Sequence, residues 1–360
     1  MSGINLCILG CGSIARLHSR IARTLRPQLN LLYASRSLQK AEAYRRRFKG
    51  AGAFGSYEEA CGSLDVDAIL ICTPHALHVE HALLGARHGK HLLIEKPVTR
   101  DLAQLTQIER AVERAGVVCM VAENYHFKPV VRVLRHHLEA GDIGDPIFIE
   151  LNKTGGHPAD GWRADAQMMG GGALLEGGIH WIHLVLCVGG PAREVIAARP
   201  THPSPRHAPF EDNLEVLLKF DNGSIGKLLH SWSTSNRLGG LQASKIYGTA
   251  GNITFESNGL WALVLGRRKR LRIPGWRDMM GRRGMLKEFL ACVREGREPA
   301  VSLAVARRDL EVVLAAYRSL SSGRFERVAA HGDSEPRKPT GAGARERESP
   351  EDASLKGEGS

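Results

Sequence analysis

Ile4-Asn5-Leu6-Cys7-Ile8-Leu9-Gly10-Cys11-Gly12-Ser13-Ile14-Ala15 decides the fold. A largely apolar run reads as a strand buried on both faces, and it passes directly into a Gly-x-Gly turn that opens a helix. In that context the turn is a dinucleotide fingerprint. Gly10 permits the tight turn, Gly12 lets the backbone approach a pyrophosphate, and small Ala15 lets helix pack on strand. Ser13 and Ile14 begin the helix whose N-terminal N–H groups would face the phosphates. A glycine-rich turn with no ligand is the alternative reading.

Outward from this stretch, runs at Leu29 to Ser35, Ala68 to Cys72, His91 to Ile94 and Val117 to Val121 alternate with helix-like segments, one of them charged and ending at Phe48. That alternation predicts β-α-β units and a parallel sheet. Beyond about residue 125 the texture changes to a helix at Val130 to Ala140, a strand at Ile147 to Lys153 and a helix at Ala173 to Val188. Leu214 to Phe220 and Ser224 to Ser231 flank Asp221-Asn222-Gly223, a hairpin signal because Asn-Gly readily adopts positive φ. Runs at Leu241 to Tyr247, Ile253 to Glu256, Leu260 to Leu265 and Arg270 to Ile273 extend an antiparallel sheet, with helices at Met285 to Glu295 and Leu303 to Leu320 closing it. The expectation is an α/β chain: a dinucleotide-binding Rossmann domain over 1–124, a substrate and oligomerisation domain over 125–330, and a tail at 331–360. The tail is too poor in large apolar side chains to offset its ordering entropy, so it reads as disordered.

A net charge of +11 from 49 Lys plus Arg against 38 Asp plus Glu would suit a polyanion if it were clustered, but the basic residues are scattered and the tail is acidic. Knots such as Arg45-Arg46-Arg47 and Arg267-Arg268-Lys269-Arg270 read as solvated surface, so no nucleic-acid partner is expected. No run approaches the roughly 18 apolar residues of a membrane helix, so no membrane partner is expected either. The 7 cysteines are odd in number and spread out, with no Cys-x-x-Cys pair. They read as reduced core residues in a cytoplasmic protein, and no metal is expected.

Three further stretches carry chemistry. Ala34-Ser35-Arg36 stands where an NAD-specific protein usually has a carboxylate for the ribose. A hydroxyl followed by a guanidinium suits a 2′-phosphate instead, which favours NADP over NAD; an Arg36 turned to solvent would leave NAD open. Glu95-Lys96-Pro97 ends a buried strand at the ligand-binding edge of the sheet, where Lys96 can polarise a substrate oxygen or move a proton. An ion pair capping the strand is the alternative. In Gly170-Gly171-Gly172-Ala173-Leu174-Leu175-Glu176-Gly177-Gly178-Ile179-His180-Trp181-Ile182-His183, continuous α-helix would put Glu176, His180 and His183 on one face. Glu176 and His180 then form a proton-transfer pair, with a carboxylate-bis-imidazole metal site and a purely structural polar face as the other readings.

With these residues in place the chain resembles the Gfo/Idh/MocA family of nicotinamide-dependent oxidoreductases. The matching stretches run in family order: ILGCGSIA, CTPHALH at 72–78, GKHLLIEKP at 89–97, ENYHFKP at 123–129, GWR at 161–163, GGGALLEGGIH at 170–180 and YGTAGNITF at 247–255. The resemblance implies a C-terminal domain with a large open, mainly antiparallel sheet. It implies that Cys72, Thr73, Pro74, His78, Glu95, Lys96 and Asn124 border the cofactor, and that Lys96, Tyr125, His126, Trp162, Arg163, Glu176, His180 and His183 border the substrate. His180 falls on the family's catalytic histidine, and Glu176 stands where many members carry Asp. His183 replaces a frequent second Asp and His126 a frequent Arg.

The expected activity is reversible hydride transfer between nicotinamide C4 and a secondary alcohol or ketone of a sugar, cyclitol or polyol. In it Lys96, His180 and Glu176 are catalytic and the protein is a homodimer or homotetramer. A glycosidase or lyase working through transient redox is the runner-up. A cofactor-sensing regulator is disfavoured because it needs neither Lys96 nor His180.

Overall fold

In the computed structural model, six short strands form an all-parallel sheet: β1 (Ile4–Leu9), β2 (Leu29–Ala34), β3 (Gly52–Phe54), β4 (Ala68–Ile71), β5 (His91–Ile94) and β6 (Cys119–Val121). Their order is β3-β2-β1-β4-β5-β6, which puts the strand-order reversal at β1, the place where open α/β sheets bind ligands. The structure describes residues 3–156, 160–201, 210–234 and 241–329; the tail expected to be disordered lies outside the described residues. All of β4 and all of β1 except Asn5 are buried, which is why these strands lack polar alternation. Helices α1 (Ser13–Ala22), α2 (Leu38–Phe48), α3 (Tyr57–Gly62), α4 (His78–Arg87) and α5 (Leu102–Ala115) make the crossovers. Ser37, Ser56 and Asp101 cap α2, α3 and α5 with their side chains, whereas α1 starts at Gly12 with no side-chain cap.

After α6 (Pro129–Glu139) comes a nine-stranded sheet built from β7 (Pro146–Thr154), β8 (Ala192–Ala198), β9 (Asn213–Phe220), β10 (Ile225–Ser231), β11 (Ala243–Gly248), β12 (Gly251–Glu256), β13 (Ala262–Leu265), β14 (Lys269–Arg272) and β15 (Glu326–Arg327). The order is β14-β13-β12-β11-β7-β10-β9-β8-β15. All pairings are antiparallel except the central one, where β10 runs parallel to β7 from Ile225 opposite Phe148 to Ser231 opposite Thr154. The Asp221-Asn222-Gly223 turn joins β9 to β10 as expected, with Gly223 at φ +84°. The charged, alanine-rich β8 and the short β3 were not legible as strands; each is held by a stronger neighbour, β9 and β2.

The remaining helices are α7 (Ala166–Met169), α8 (Ile179–Gly189), α9 (Arg282–Glu295) and α10 (Leu303–Ser322). Here α8 and α10 cover the inner face of the second sheet. The expectation that the helix at 285–295 also closes that sheet is corrected. Met285, Leu286, Phe289 and Leu290 of α9 pack into the apolar cluster of Ile4, Leu6, Ile8, Leu70 and Leu93, so a late segment completes the core of the first sheet. The stretch Ala166–Gly189 is apolar and long enough to cross a membrane by composition, yet 83% of its apolar window is buried inside the protein.

Candidate active site

The turn between β1 and α1 is shaped by what a side chain would strike. Gly10 lies at φ +95°, and a Cβ there would come within 3.0 Å of the Cys72 carbonyl oxygen, on the strip Cys72-Thr73-Pro74 that follows β4. A Cβ on Gly12 would meet nothing within 4 Å, so the space before the uncapped start of α1 is open. Ser13 is exposed, Ile14 is half-buried and Ala15 is fully buried against the sheet. At the end of β2, Ser35 is buried with its hydroxyl accepting from Ser37 N (3.3 Å), and Arg36 is exposed. Open N–H groups, a glycine-lined approach and a guanidinium at the second strand fit a dinucleotide.

Several side chains expected to touch the cofactor are engaged within the protein instead. Glu95 Oε1 pairs with His18 Nε2 at 2.5 Å and the other carboxylate oxygen accepts from Lys96 N, tying α1 to the end of β5. His78 is fully buried with both ring nitrogens at carbonyl oxygens, Pro97 O at 2.9 Å and Thr73 O at 3.0 Å. Thr73 Oγ1 pairs with His81 Nδ1, and Asn124 Nδ2 donates to Met280 O. These four anchor the segments that follow β4, β5 and β6; for His78 the expected direct contact is corrected, since the side chain is fully buried and both ring nitrogens face carbonyl oxygens.

Lys96 ends β5 as the sequence implied. Its Nζ donates to the backbone carbonyl of Glu176 and lies 3.9 Å from the Glu176 carboxylate. Arg163 completes this knot, donating from Nε and Nη2 to Glu176 Oε1 at 3.0 and 2.9 Å. The Arg163 guanidinium lies over Trp162, whose ring packs edge-on against His75 with centroids 4.6 Å apart. His75 in turn reaches Met169 O at 3.1 Å and was not foreseen as a wall of the site.

The loop carrying Glu176 is held by a buried carboxylate that sequence reading also missed. Glu211 accepts from Leu174 N and from the Tyr317 hydroxyl, both at 2.9 Å, while that hydroxyl accepts from Gly172 N and Leu175 N. A Cβ on Gly172 would collide with the Glu211 carboxylate and backbone carbonyl, so only glycine fits. From there the chain winds as a π-helix over Leu174–Gly178 before α8 begins. The wider turn bonds i to i+5 and rotates Glu176 off the face that continuous α-helix would share with His180. The expected Glu176–His180 pair is therefore corrected.

Glu123 takes that place. Both its oxygens lie at 2.6 and 2.7 Å from His180 Nδ1, and it also accepts from Tyr125 N at 2.9 Å. Burial alone would raise Glu123, but His180, His183 and the Tyr125 N–H outweigh it and hold the carboxyl down to about 2. Burial, with the Lys96 charge adding to it, keeps His180 below the usual histidine range despite Glu123. The neutral-pH pair is thus a carboxylate and a neutral imidazole whose Nδ1–H it accepts, leaving the Nε2 lone pair to act. Tyr125 stacks flat on the ring, 4.4 Å away with planes at 9°. Glu123 opens the ENYHFKP stretch just after β6, so its position was readable but its partner was not.

Both Lys96 and His180 keep 14% of the side chain exposed, while their carboxylate partners Glu176 and Glu123 keep 7% and 4%. In each pair the nitrogen-bearing side chain is therefore the more exposed partner and the carboxylate the more buried one. His183 does not join them. It is 1% exposed, with Nδ1 at 2.7 Å from Asp309 and Nε2 toward His126 and Cys187, so the substrate-lining place expected for it is corrected. All seven cysteines are free, but Cys11 and Cys187 are only half-buried, which corrects their reading as core.

A glycine-lined turn at the start of α1 and a lysine and a histidine each paired with a carboxylate are the features that nicotinamide-dependent oxidoreductases combine. Residues 4–123 match the model of an oxidoreductase family with an NAD-binding Rossmann fold, and residues 131–254 match the Gfo/Idh/MocA C-terminal domain. The chain is 25% identical to scyllo-inositol 2-dehydrogenase (NAD(+)) of Bacillus subtilis over 337 residues, covering 89% of this chain and 95% of that one. It is 24% identical to levoglucosan dehydrogenase of Pseudarthrobacter phenanthrenivorans, covering 87% of each. In fold it is similar to levoglucosan dehydrogenase in complex with NADH and levoglucosan (TM-score 0.82, 22% identity, 91% of this chain and 100% of that one). It is equally similar to aldose-aldose oxidoreductase from Caulobacter crescentus (TM-score 0.82, 22% identity, 90% and 99%). The chain belongs to the Gfo/Idh/MocA family and is an NAD(P)-dependent oxidoreductase.

Proposed function

We propose that the protein interconverts a secondary alcohol and a ketone on a sugar, cyclitol or related polyol. The observation that carries this reading is the pair of partly exposed groups, Lys96 and His180, each backed by a buried carboxylate. When bound, the nicotinamide supplies or accepts the hydride. Lys96 donates a hydrogen bond to the reacting oxygen. His180 Nε2 takes the hydroxyl proton during oxidation and returns it during reduction. Glu123 holds Nδ1–H and stabilises the imidazolium that forms, while Glu176 fixes Lys96 and Arg163 rather than tuning His180. Tyr125, Trp162 and Arg163 line the approach, and His126 stands beyond Tyr125. Residues 1–124 then hold the dinucleotide, and 125–330 hold the substrate and the subunit contacts.

NADP is the preferred cofactor in this reading, because Ser35 and Arg36 at the end of β2 offer a hydroxyl and a guanidinium in place of a carboxylate. Keto-sugars and inososes should consume NADPH faster than NADH, and Arg36→Asp should weaken NADPH about 10- to 100-fold while sparing NADH. Equal loss for both cofactors would remove Arg36 from the discrimination, and no oxidation of either cofactor across the panel would sink the substrate class.

The outer face of the second sheet carries Phe148 (49% exposed) and Leu229 (36%), with Leu271 (64%) further along. Exposed apolar sheet of this kind suits a second copy of the chain. Light scattering should show a dimer or tetramer that Phe148→Asp dissociates; a wild-type monomer at micromolar concentration would contradict this.

A further inference from the structure

Behind the groove, three soft or borderline metal ligands converge from two separate segments. His183 Nε2 lies 3.1 Å from His126 Nδ1 and 3.3 Å from Cys187 Sγ, and all three atoms fall within 4.8 Å of one another. His183 and Cys187 stand one turn apart on α8, while His126 comes from the turn before α6. On the far side of the ring, Asp309 Oδ2 accepts from His183 Nδ1 at 2.7 Å, and its other oxygen is held by Arg308 at 2.9 Å.

With Nδ1 directed at Asp309, His183 turns Nε2 toward the space it shares with His126 Nδ1 and Cys187 Sγ. Each of the three atoms can contribute one lone pair to a single cation there. The spacings suit this: zinc bonds of roughly 2.0–2.3 Å in tetrahedral geometry put ligand atoms about 3.3–3.6 Å apart. A carboxylate on the far nitrogen of a ligating imidazole is the usual support for such a ligand.

We propose that His126, His183 and Cys187 form a Zn2+ site with an open fourth position, supported by Asp309 and distinct from the redox groove. The nitrogen and sulfur donor set selects a borderline-soft ion over Mg2+ or Ca2+. The site joins the Asn124–Phe127 turn to α8 and, through Asp309, to α10. Because Tyr125 of that turn stacks on His180, occupancy would stiffen the neighbourhood of the groove without placing the ion in it. Arg135 Nη2 donates to Cys187 Sγ at 3.4 Å, a positive charge that competes with the ion. Arg135 is half-buried, with a long stem that allows it to leave.

The test uses the full-length, tag-free protein with Zn2+ or Co2+ alone. About one Co2+ per chain should bind with a thiolate charge-transfer band in the near ultraviolet, and Zn2+ should displace it and shield Cys187 from alkylation as read by peptide mapping. Cys187→Ser should abolish the band with an unchanged circular dichroism spectrum, and Asp309→Asn should weaken binding about 10- to 100-fold. Arg135→Ala should tighten it, a direction that loss of folding would not give. No uptake, a band that survives in Cys187→Ser, or Zn2+ that leaves Cys187 alkylation unchanged would overturn the assignment. None of these readouts requires turnover, so they fail or succeed independently of the proposed reaction.

Discussion

Lys96→Met should lower kcat about 10²- to 10⁴-fold, the range for removing a group that handles charge at the reacting oxygen, with little change in dinucleotide affinity. The split follows from where Lys96 stands. Its Nζ is anchored by the Glu176 carbonyl and carboxylate, not by the turn between β1 and α1. Deleting the ammonium does not strand a charge either, because Arg163 still makes two bonds to Glu176 Oε1. The melting temperature should therefore stay near wild type, which separates this variant from one that merely loosens the fold. Lys96→Arg should not restore the rate, since a planar fork cannot reproduce a compact ammonium between one carbonyl and a substrate oxygen. A stopped-flow hydride-transfer rate at the wild-type level in Lys96→Met would remove Lys96 from the chemistry.

What the sequence made legible, and what it hid, follows the range over which each residue acts. The β1–α1 turn, the strand ending in Lys96 and the Asn222-Gly223 hairpin are local: glycine conformations and uninterrupted apolar runs specify them within a few residues. The pairing of His180 is not local. Periodicity assumes 3.6 residues per turn, and one π turn at Leu174–Gly178 moved the carboxylate partner from Glu176, four residues away, to Glu123, 57 residues away. Nothing in the spacing announces that turn. It depends on Glu211 and Tyr317 gathering the N–H groups of Gly172, Leu174 and Leu175 from distant parts of the chain. The same holds for α9, which was readable as a helix while the sheet it covers was not. It holds again for His126, His183 and Cys187, which have no motif spacing and meet only in three dimensions.

Glu123→Gln should produce a change in pH dependence that simple structural damage would not. In the wild type, burial and Lys96 push His180 down while Glu123 pushes it up. Taking away the Glu123 charge leaves the first two unopposed, so the acidic limb of the alcohol-oxidation profile should move to lower pH. The plateau should fall at the same time, because the imidazolium formed at the transition state loses its counter-charge. His180→Ala should erase the limb and lower kcat about 10²- to 10⁴-fold. Stability carries a separate signature with its own sign. Glu123 is held down to about 2, below the roughly 4.3 of an unfolded glutamate. Its contribution is therefore fully present above about pH 4.3 and is lost as the pH falls toward 2. Glu123→Gln should shrink the stability gap to wild type in acid and widen it at neutral pH. An oxidation profile whose acidic limb stays fixed in Glu123→Gln, beside an intact rate in His180→Ala, would mean that another group moves the proton.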